Sequence, residues 1–447
     1  MTSLNDVLQL AAGHFQAGRL AEAEALWVKV LTVLPDQAEM HVNLAAVRRV
    51  RGRLDQAEAG YRRAIALRPD MPQSYFNLGN AQRARGNPSA AAASLLRSMR
   101  LDPGHIDSIH NLAATLQQLE RFEAAAAMYR RAIALDPDRA TSRVNLGGTL
   151  MILGDLRRGF AGLEWRFRLP GFPVAERVFP QPRWDGAPLR GRTLLAHAER
   201  DFGDSIQYIR YARELARQGE RVVVECQPEL QSLFAASLDG IAVVARGEPL
   251  PPFDCHAPLP SLPFLFGTEM DTIPAEVPYL RSPPAAPLPD AEPGAARIGL
   301  VWAARAESQT ADSRTCPIEA LRPLIQRQGT RFYSLQLGPR AADLAALPDG
   351  SVIDLTPRIR SFADTAAFLA SLDLLVTVDT AAAHLAGALA RPVWMLLPRQ
   401  PAYRWHLKRA DSPWYPGMRL FRQERPGDWQ GLIGRVGAAL DTWCKER

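Results

Sequence analysis

Two columns of residues recur in one register through the first third of this 447-residue chain. Pro35, Pro69, Pro103 and Pro137 stand 34 residues apart, and so do Asn43, Asn77, Asn111 and Asn145. Each asparagine precedes a leucine (Leu44, Leu78, Leu112, Leu146), a small residue follows (Ala45, Gly79, Ala113, Gly147), and Ala57, Ala91 and Ala125 form a further column. Chance does not produce columns in step. A fixed period of this length constrains the fold before anything else does, because each unit buries too little alone and must stack on its neighbours. A first unit near residues 4–37 carries Gln9 where the others carry asparagine, full units start at 38, 72 and 106, and a fifth starts at 140 and runs into a less regular end cap.

The period and the small-residue pattern resemble the tetratricopeptide repeat. In such a unit small residues let paired helices approach closely, a large side chain (Tyr61, Leu95, Tyr129) fills the remaining gap, and proline ends the second helix. An all-α superhelix over residues 1–165 is therefore expected. The asparagine column has two readings. It either orders each helix pair through a hydrogen bond within the repeat, or it forms a ladder that grips an extended peptide. The ladder reading comes from resemblance to the repeat domain of eukaryotic protein O-linked N-acetylglucosamine transferases. An amide suits that task because it carries both a donor and an acceptor.

Residues 166–192 are rich in proline and follow neither helix nor strand period, as a linker should. Beyond them the pattern changes to strand–helix alternation. Thr193–Ala198 reads as a strand, Asp204–Gln218 as an amphipathic helix, and Val222–Cys226 and Ile241–Ala245 as further strands, the start of a doubly wound parallel sheet over 193–290. Its first strand-to-helix loop contains Gly203, which admits a close approach, and Asp204, which either caps its helix or points into the crevice where such sheets bind ligands. Ser205 and Gln207 follow in the same segment. The proline-rich passage 278–293 reads as a hinge.

A second sheet of the same class is expected over 295–447. Arg297–Ala303, Arg331–Leu337, Val352–Leu355 and Met418–Arg422 read as strands, Pro317–Gln328 and Phe362–Leu372 as helices, and Trp429–Cys444 as a closing helix. Its centre is Ser371–Pro398. Apolar Leu374–Val378 and Val393–Leu397 flank a helix-forming Ala381–Ala390, which puts Asp379, Thr380, Ala381 and His384 at a strand's carboxyl end and a helix's start. That helix start offers unpaired N–H groups and a positive dipole end, which favour phosphate. Thr380 and His384, four residues apart, share a helix face. The plain alternative is that Asp379 or Thr380 only caps the helix and His384 is packed. The loop Ala303–Thr315 supplies Arg305, Ser308, Ser313, Arg314 and Thr315 as a lining for an anion, and the later loop holds Arg404, Trp405, Lys408 and Arg409, with a solvated basic loop as the alternative.

The net charge of +6 is spread among interleaved acids, with no basic run that would mark a nucleic-acid arm. Four scattered cysteines give no disulfide or zinc pattern, and no run approaches a membrane span, so a cytoplasmic protein without a transmembrane segment is expected. The only Asp-x-Asp, Asp136-Pro137-Asp138, is a repeat turn and not a metal site.

Residues 180–430 resemble the GT-B glycosyltransferases, specifically the heptosyltransferase-like family 9 branch, and the whole chain resembles bacterial proteins that fuse tetratricopeptide repeats to such a domain. The likeness is carried by PQPRWDGAPLRGRTLL, FGDSIQYIRYA, LVWAAR, SFADTAAFLASLDLLVTVDTAAAHLAGAL and RWHLKRADSPWYP. It implies GT-B architecture with two doubly wound domains, the first on the acceptor side and the second on the nucleotide-sugar side. It also implies an inverting, metal-independent transfer with no cofactor beyond the nucleotide-sugar substrate. Asp204 is then the catalytic base, beside Gly203, Ser205 and Gln207. Asp379, Thr380, Ala381 and His384 serve the donor diphosphate, with Arg305, Arg314 and Lys408 assisting. The chain departs from that family at Arg200, Asp201 and Phe202 in the first loop, at Gln207 and at Ala381. The acceptor implied is a polypeptide held by the repeats, such as flagellin or another surface protein. Two alternatives stay open: an acceptor that is lipopolysaccharide or another glycan, and a non-catalytic repeat scaffold with a degenerate transferase domain.

Overall fold

The computed structural model describes residues 4–172, 177–305 and 311–447, so Ser308 lies outside the described residues. The chain divides into two compact units. One runs to Leu153 and takes in Arg168–Pro170, and the other comprises Gly154–Phe167 and Gly171–Arg447.

The first unit is a run of antiparallel helix pairs: α1 (Leu4–Gln16), α2 (Leu20–Val33), α3 (Ala38–Val50), α4 (Leu54–Leu67), α5 (Pro72–Ala84), α6 (Pro88–Leu101), α7 (Ile106–Gln118), α8 (Phe122–Leu135) and α9 (Ala140–Ile152). The turn inside a pair needs a left-handed residue, supplied by Gly18, Gly52 and Gly86 at φ 73, 75 and 77°, again one period apart, and by Glu120 at φ 58° in the fourth pair. Ala23, Ala57, Ala91 and Ala125 are wholly buried where the helices cross, and Trp27, Tyr61, Leu95 and Tyr129 fill the space beside them. At Gly79 a Cβ would lie 2.7 Å from Leu95 Cγ, so the approach of α5 to α6 depends on its absence. Neighbouring repeats are clamped by acids one period apart. Glu24 accepts from Arg48 at 3.2 Å and Arg53 at 3.1 Å and also pairs with Arg51, while Glu58 accepts from Gln82 at 3.3 Å and pairs with Arg85.

The helix α10 (Leu156–Leu163) belongs by its contacts to the second unit, although its sequence continues the repeats. Its Phe160 is buried edge-on against Tyr208, Tyr403 and Trp414. An apolar side chain enclosed by aromatic rings outweighs a weak continuation of the period, so the unit boundary precedes the one read from the repeats.

The rest of the second unit holds two wholly parallel sheets. The first contains β1 (Thr193–His197), β2 (Arg221–Cys226), β3 (Ala242–Ala245) and β4 (Cys255–Pro258) in the order β3-β2-β1-β4, with α11 (Phe202–Arg217), α12 (Pro228–Ser237) and α13 (Leu262–Leu265). The strand β4 has four residues and ends in proline, too little for a pattern to announce. The second contains β5 (Ala296–Val301), β6 (Thr330–Ser334), β7 (Val352–Asp354), β8 (Leu374–Val378), β9 (Val393–Leu397) and β10 (Met418–Arg422) in the order β10-β9-β8-β5-β6-β7. Its helices are α14 (Ala311–Arg314), α15 (Arg322–Ile325), α16 (Phe362–Ser371), α17 (Ala381–Ala388) and α18 (Trp429–Glu446). Strand order reverses between β1 and β4 and between β5 and β8, and such reversals open crevices at the strands' carboxyl ends.

The expected helix Pro317–Gln328 is instead a 3-10 turn followed by the short α15, because Pro323 has no N–H and its ring excludes the carbonyl four residues back. The proline-rich passage 278–293 is tied down rather than slack. The Tyr279 N–H donates to the Ala388 carbonyl at 3.0 Å, and the Ala286 N–H to the Ala367 carbonyl at 3.0 Å. Closing helix α18 buries Leu432, Ile433, Val436 and Leu440 against Ile298, Leu300 and Val376 of the second sheet. Among the described residues no helix is long and apolar enough to cross a membrane.

Candidate functional site

Asp204 and the Asp379–His384 segment each follow a strand at a reversal of strand order. β1 ends at His197, a short loop follows, and α11 begins at Phe202 with Asp204 in its first turn. β8 ends at Val378, and Thr380 is the N-cap of α17. The Thr380 backbone is extended, yet its side chain caps no N–H of the helix, and its hydroxyl lies 3.1 Å from that of Thr377. The N–H groups of Ala383 and His384 donate to the Thr380 carbonyl at 3.1 and 3.4 Å, and Ala381 is the first residue of the helix, where N–H groups lack a partner within the helix.

These two helix starts meet. A Cβ on Gly203 would stand 2.9 Å from His384 Cδ2, so what the glycine admits is the imidazole of α17. Asp204 is ion-paired with Arg404, and Arg404 Nε also donates to Gln207 Oε1 at 2.8 Å. Beside this pair the hydroxyls of Tyr208 and Tyr403 lie 2.8 Å apart. Gln207 is fully buried, and its Nε2 has no hydrogen-bond partner. Burial opposes both charges of the ion pair. For Arg404 the attraction of Tyr403 and Asp204 wins, so it stays charged. For Asp204 burial wins over Arg404, and its carboxyl is raised above the ordinary 3.8.

His384 sits 3 % exposed beneath the Trp405 ring. Burial, then the charges of Arg404 and Arg210, push its pKa well below 6.5, so it is neutral. The Tyr279 hydroxyl accepts from Arg210 Nη2 at 3.0 Å and donates to the Ile206 carbonyl at 2.9 Å. The Tyr415 hydroxyl lies 2.9 Å from His384 Nδ1 and 3.5 Å from the Tyr279 hydroxyl, and His384 Nε2 lies 3.9 Å from Asp379 Oδ1. Asp379 is 5 % exposed and accepts from Arg314 at 3.3 Å through both its carboxylate and its carbonyl.

Other candidates fall differently. Ser205 is buried and donates to Gln227 Oε1 at 2.9 Å, inside its own domain. Arg305 is exposed, and Thr315 Oγ1 accepts from the Ala304 N–H at 3.2 Å. Lys408 is exposed, and the cation of its loop that reaches the carboxylate of α11 is Arg404. Arg404 stood in a basic stretch with no spacing to single it out, as did Arg166, which is buried between Glu199 and Glu164 behind the first loop. In the repeats Asn43, Asn77, Asn111 and Asn145 are half-buried on α3, α5, α7 and α9. Asn77 Oδ1 accepts from Gln73 at 3.3 Å, and Asn111 Nδ2 donates to Asn80 Oδ1 at 2.8 Å, a bond between repeats rather than within one.

With the geometry in place, comparison with known proteins decides the first unit. Residues 36–104 and 105–135 match the tetratricopeptide repeat family. These residues are tetratricopeptide repeats. Among curated proteins the chain is similar to protein FlbA of Caulobacter vibrioides, 27% identical over 65% of this chain and 53% of that protein, so it spans about half the length of this relative. Among solved structures it is similar to MamA (17% identical, 36% of this chain, 88% of that one, TM-score 0.34) and to PilF of Pseudomonas aeruginosa (20%, 36%, 74%, TM-score 0.33). The tetratricopeptide repeat is an interaction module, so a protein partner is the natural ligand of this unit.

Proposed function

We propose that the second unit is an inverting glycosyltransferase of GT-B type that moves a sugar from a nucleotide-sugar to a polypeptide recruited by the tetratricopeptide repeats. One observation carries this. A carboxylate whose pKa is raised, at the first crevice of one parallel sheet, faces a helix start without a side-chain cap and with a neutral histidine at the crevice of another. That is the complement an inverting transfer needs. Asp204 takes the proton from the acceptor hydroxyl, whose oxygen bonds to the anomeric carbon as the bond from that carbon to the diphosphate oxygen breaks. The nucleoside diphosphate leaves with the bonding electrons, and its charge is met by the N–H groups of α17, Thr380, His384 and Arg314. On the donor side the carboxylate of Asp379 is paired with Arg314. The similarity to FlbA, which extends beyond the repeats, is compatible with this activity.

Calorimetry with UDP-, GDP-, ADP- and CMP-sugars tests the donor half, and one of them should bind. Asp204→Asn should retain that binding while transfer falls by about 10²–10⁴, the contribution of a general base. Undiminished transfer by this variant removes Asp204 as the base, and no binding of any nucleotide-sugar favours a scaffold instead.

A further inference from the structure

We infer that Arg404 is an exchange cation, held by Asp204 while the donor site is empty and drawn to the donor's diphosphate when it fills, so that donor binding uncovers the base. The inference rests on the glycosyl-transfer reading of the cleft and adds a residue and an order of events to it.

Four observations support it. Arg404 comes from the loop after β9, yet its guanidinium is bonded to Asp204 and Gln207 of α11, so one side chain joins the two sheets' sites. Its charge is coupled to the donor side as well, since Asp379 acts on Arg404 and Arg404 depresses the His384 pKa. In the observed state the Arg404 guanidinium occupies Asp204 Oδ1 and competes with an acceptor hydroxyl for that oxygen. Finally, Gln207 is fully buried with its Nε2 donor unpaired while its Oε1 holds Arg404. A buried donor left unsatisfied costs free energy, and movement of Arg404 would open that amide to a ligand oxygen or water.

The energetic logic is competition. A diphosphate offers more negative charge than one carboxylate and accepts a planar fork of N–H donors well, so the guanidinium gains by transferring. The released Asp204 loses the neighbour that lowers its pKa, and becomes a stronger base when the donor is in place. The expected order is donor first and acceptor second.

A double-mutant cycle read by calorimetry with inorganic pyrophosphate tests the exchange without requiring turnover or the identity of the sugar. Asp204→Asn, which keeps the side chain's shape, should tighten pyrophosphate binding at least about tenfold, roughly the worth of one hydrogen bond to a charged group. Arg404→Gln should weaken it by a similar factor. In the Arg404→Gln background, Asp204→Asn should have little further effect, because nothing remains to be released. Arg404→Lys, which keeps the charge but not the fork, guards against misfolding and should retain part of the coupling. Equal tightening by Asp204→Asn in both backgrounds would mean simple repulsion and overturn the exchange while leaving the transferase reading intact. Absence of pyrophosphate binding in all the variants, with no nucleotide-sugar bound either, overturns both.

Discussion

At the residue scale activity depends on the protonation of Asp204 under the proposed reaction. Burial raises its pKa and Arg404 pulls it back. A base acts only when ionised, so the acid limb of kcat/KM should lie above 3.8. Arg404→Gln removes the lowering influence and should move that limb to still higher pH, which a pH–rate profile of the two proteins would check. A limb that moves to lower pH in the variant contradicts the assignment. Asp204 and His384 were legible in the sequence because each stands at a strand-to-helix switch, where both period and residue type change. Arg404 was not, since a cation's role depends on the carboxylate it meets across the fold, here 200 positions away in the chain. Tyr415 was hidden for the same reason: its service to His384 arises from packing, and no spacing encodes it. Lys408, equally basic and four residues on, is exposed.

At the scale of elements the 34-residue period was readable because its helix pairs are local, and β8 and β9 were readable because buried parallel strands are continuous apolar runs. The element β4 was invisible, being short and defined only by its pairing with β1. Glycine in the repeats separates two physical roles. Gly79→Ala forces a Cβ against Leu95 and should cost about 1–3 kcal/mol, as overpacking does. Gly148→Ala, where nothing lies within 4 Å of the new atom, should stabilise the array by about 0.5–1 kcal/mol through helix propensity. Thermal or denaturant unfolding of each variant distinguishes them, and equal effects would contradict the packing described. The clamp at Glu24 makes a pH prediction. Burial raises its pKa, but Arg48, Arg53 and Arg51 outweigh burial and hold it below 4.5. Its stabilising contribution is complete above the unfolded value and is lost as pH falls through the lower folded value. Glu24→Gln should therefore flatten the acid side of the stability profile while lowering stability at neutral pH by about 1–3 kcal/mol.

At the scale of the whole molecule the division of labour is the substance of the proposal: repeats that take a polypeptide, and two parallel sheets that take a nucleotide-sugar. Changing Asn77, Asn111 and Asn145 together to alanine should reduce acceptance of polypeptide more than about tenfold, because several amide hydrogen bonds are lost at once, while leaving donor binding unchanged. Full retention of polypeptide acceptance would turn the reading toward a glycan acceptor. The Asn111–Asn80 bond already present between repeats shows that the amides can bridge neighbouring helices, and a bound peptide would have to compete for part of that capacity. The most direct measurement is intact-mass analysis of host-cell polypeptides in a strain lacking this chain, complemented with the wild type or with Asp204→Asn. The account predicts a sugar-sized mass increment on one or more polypeptides with the wild type and its loss with Asp204→Asn. An increment that is present with both, or with neither, contradicts it.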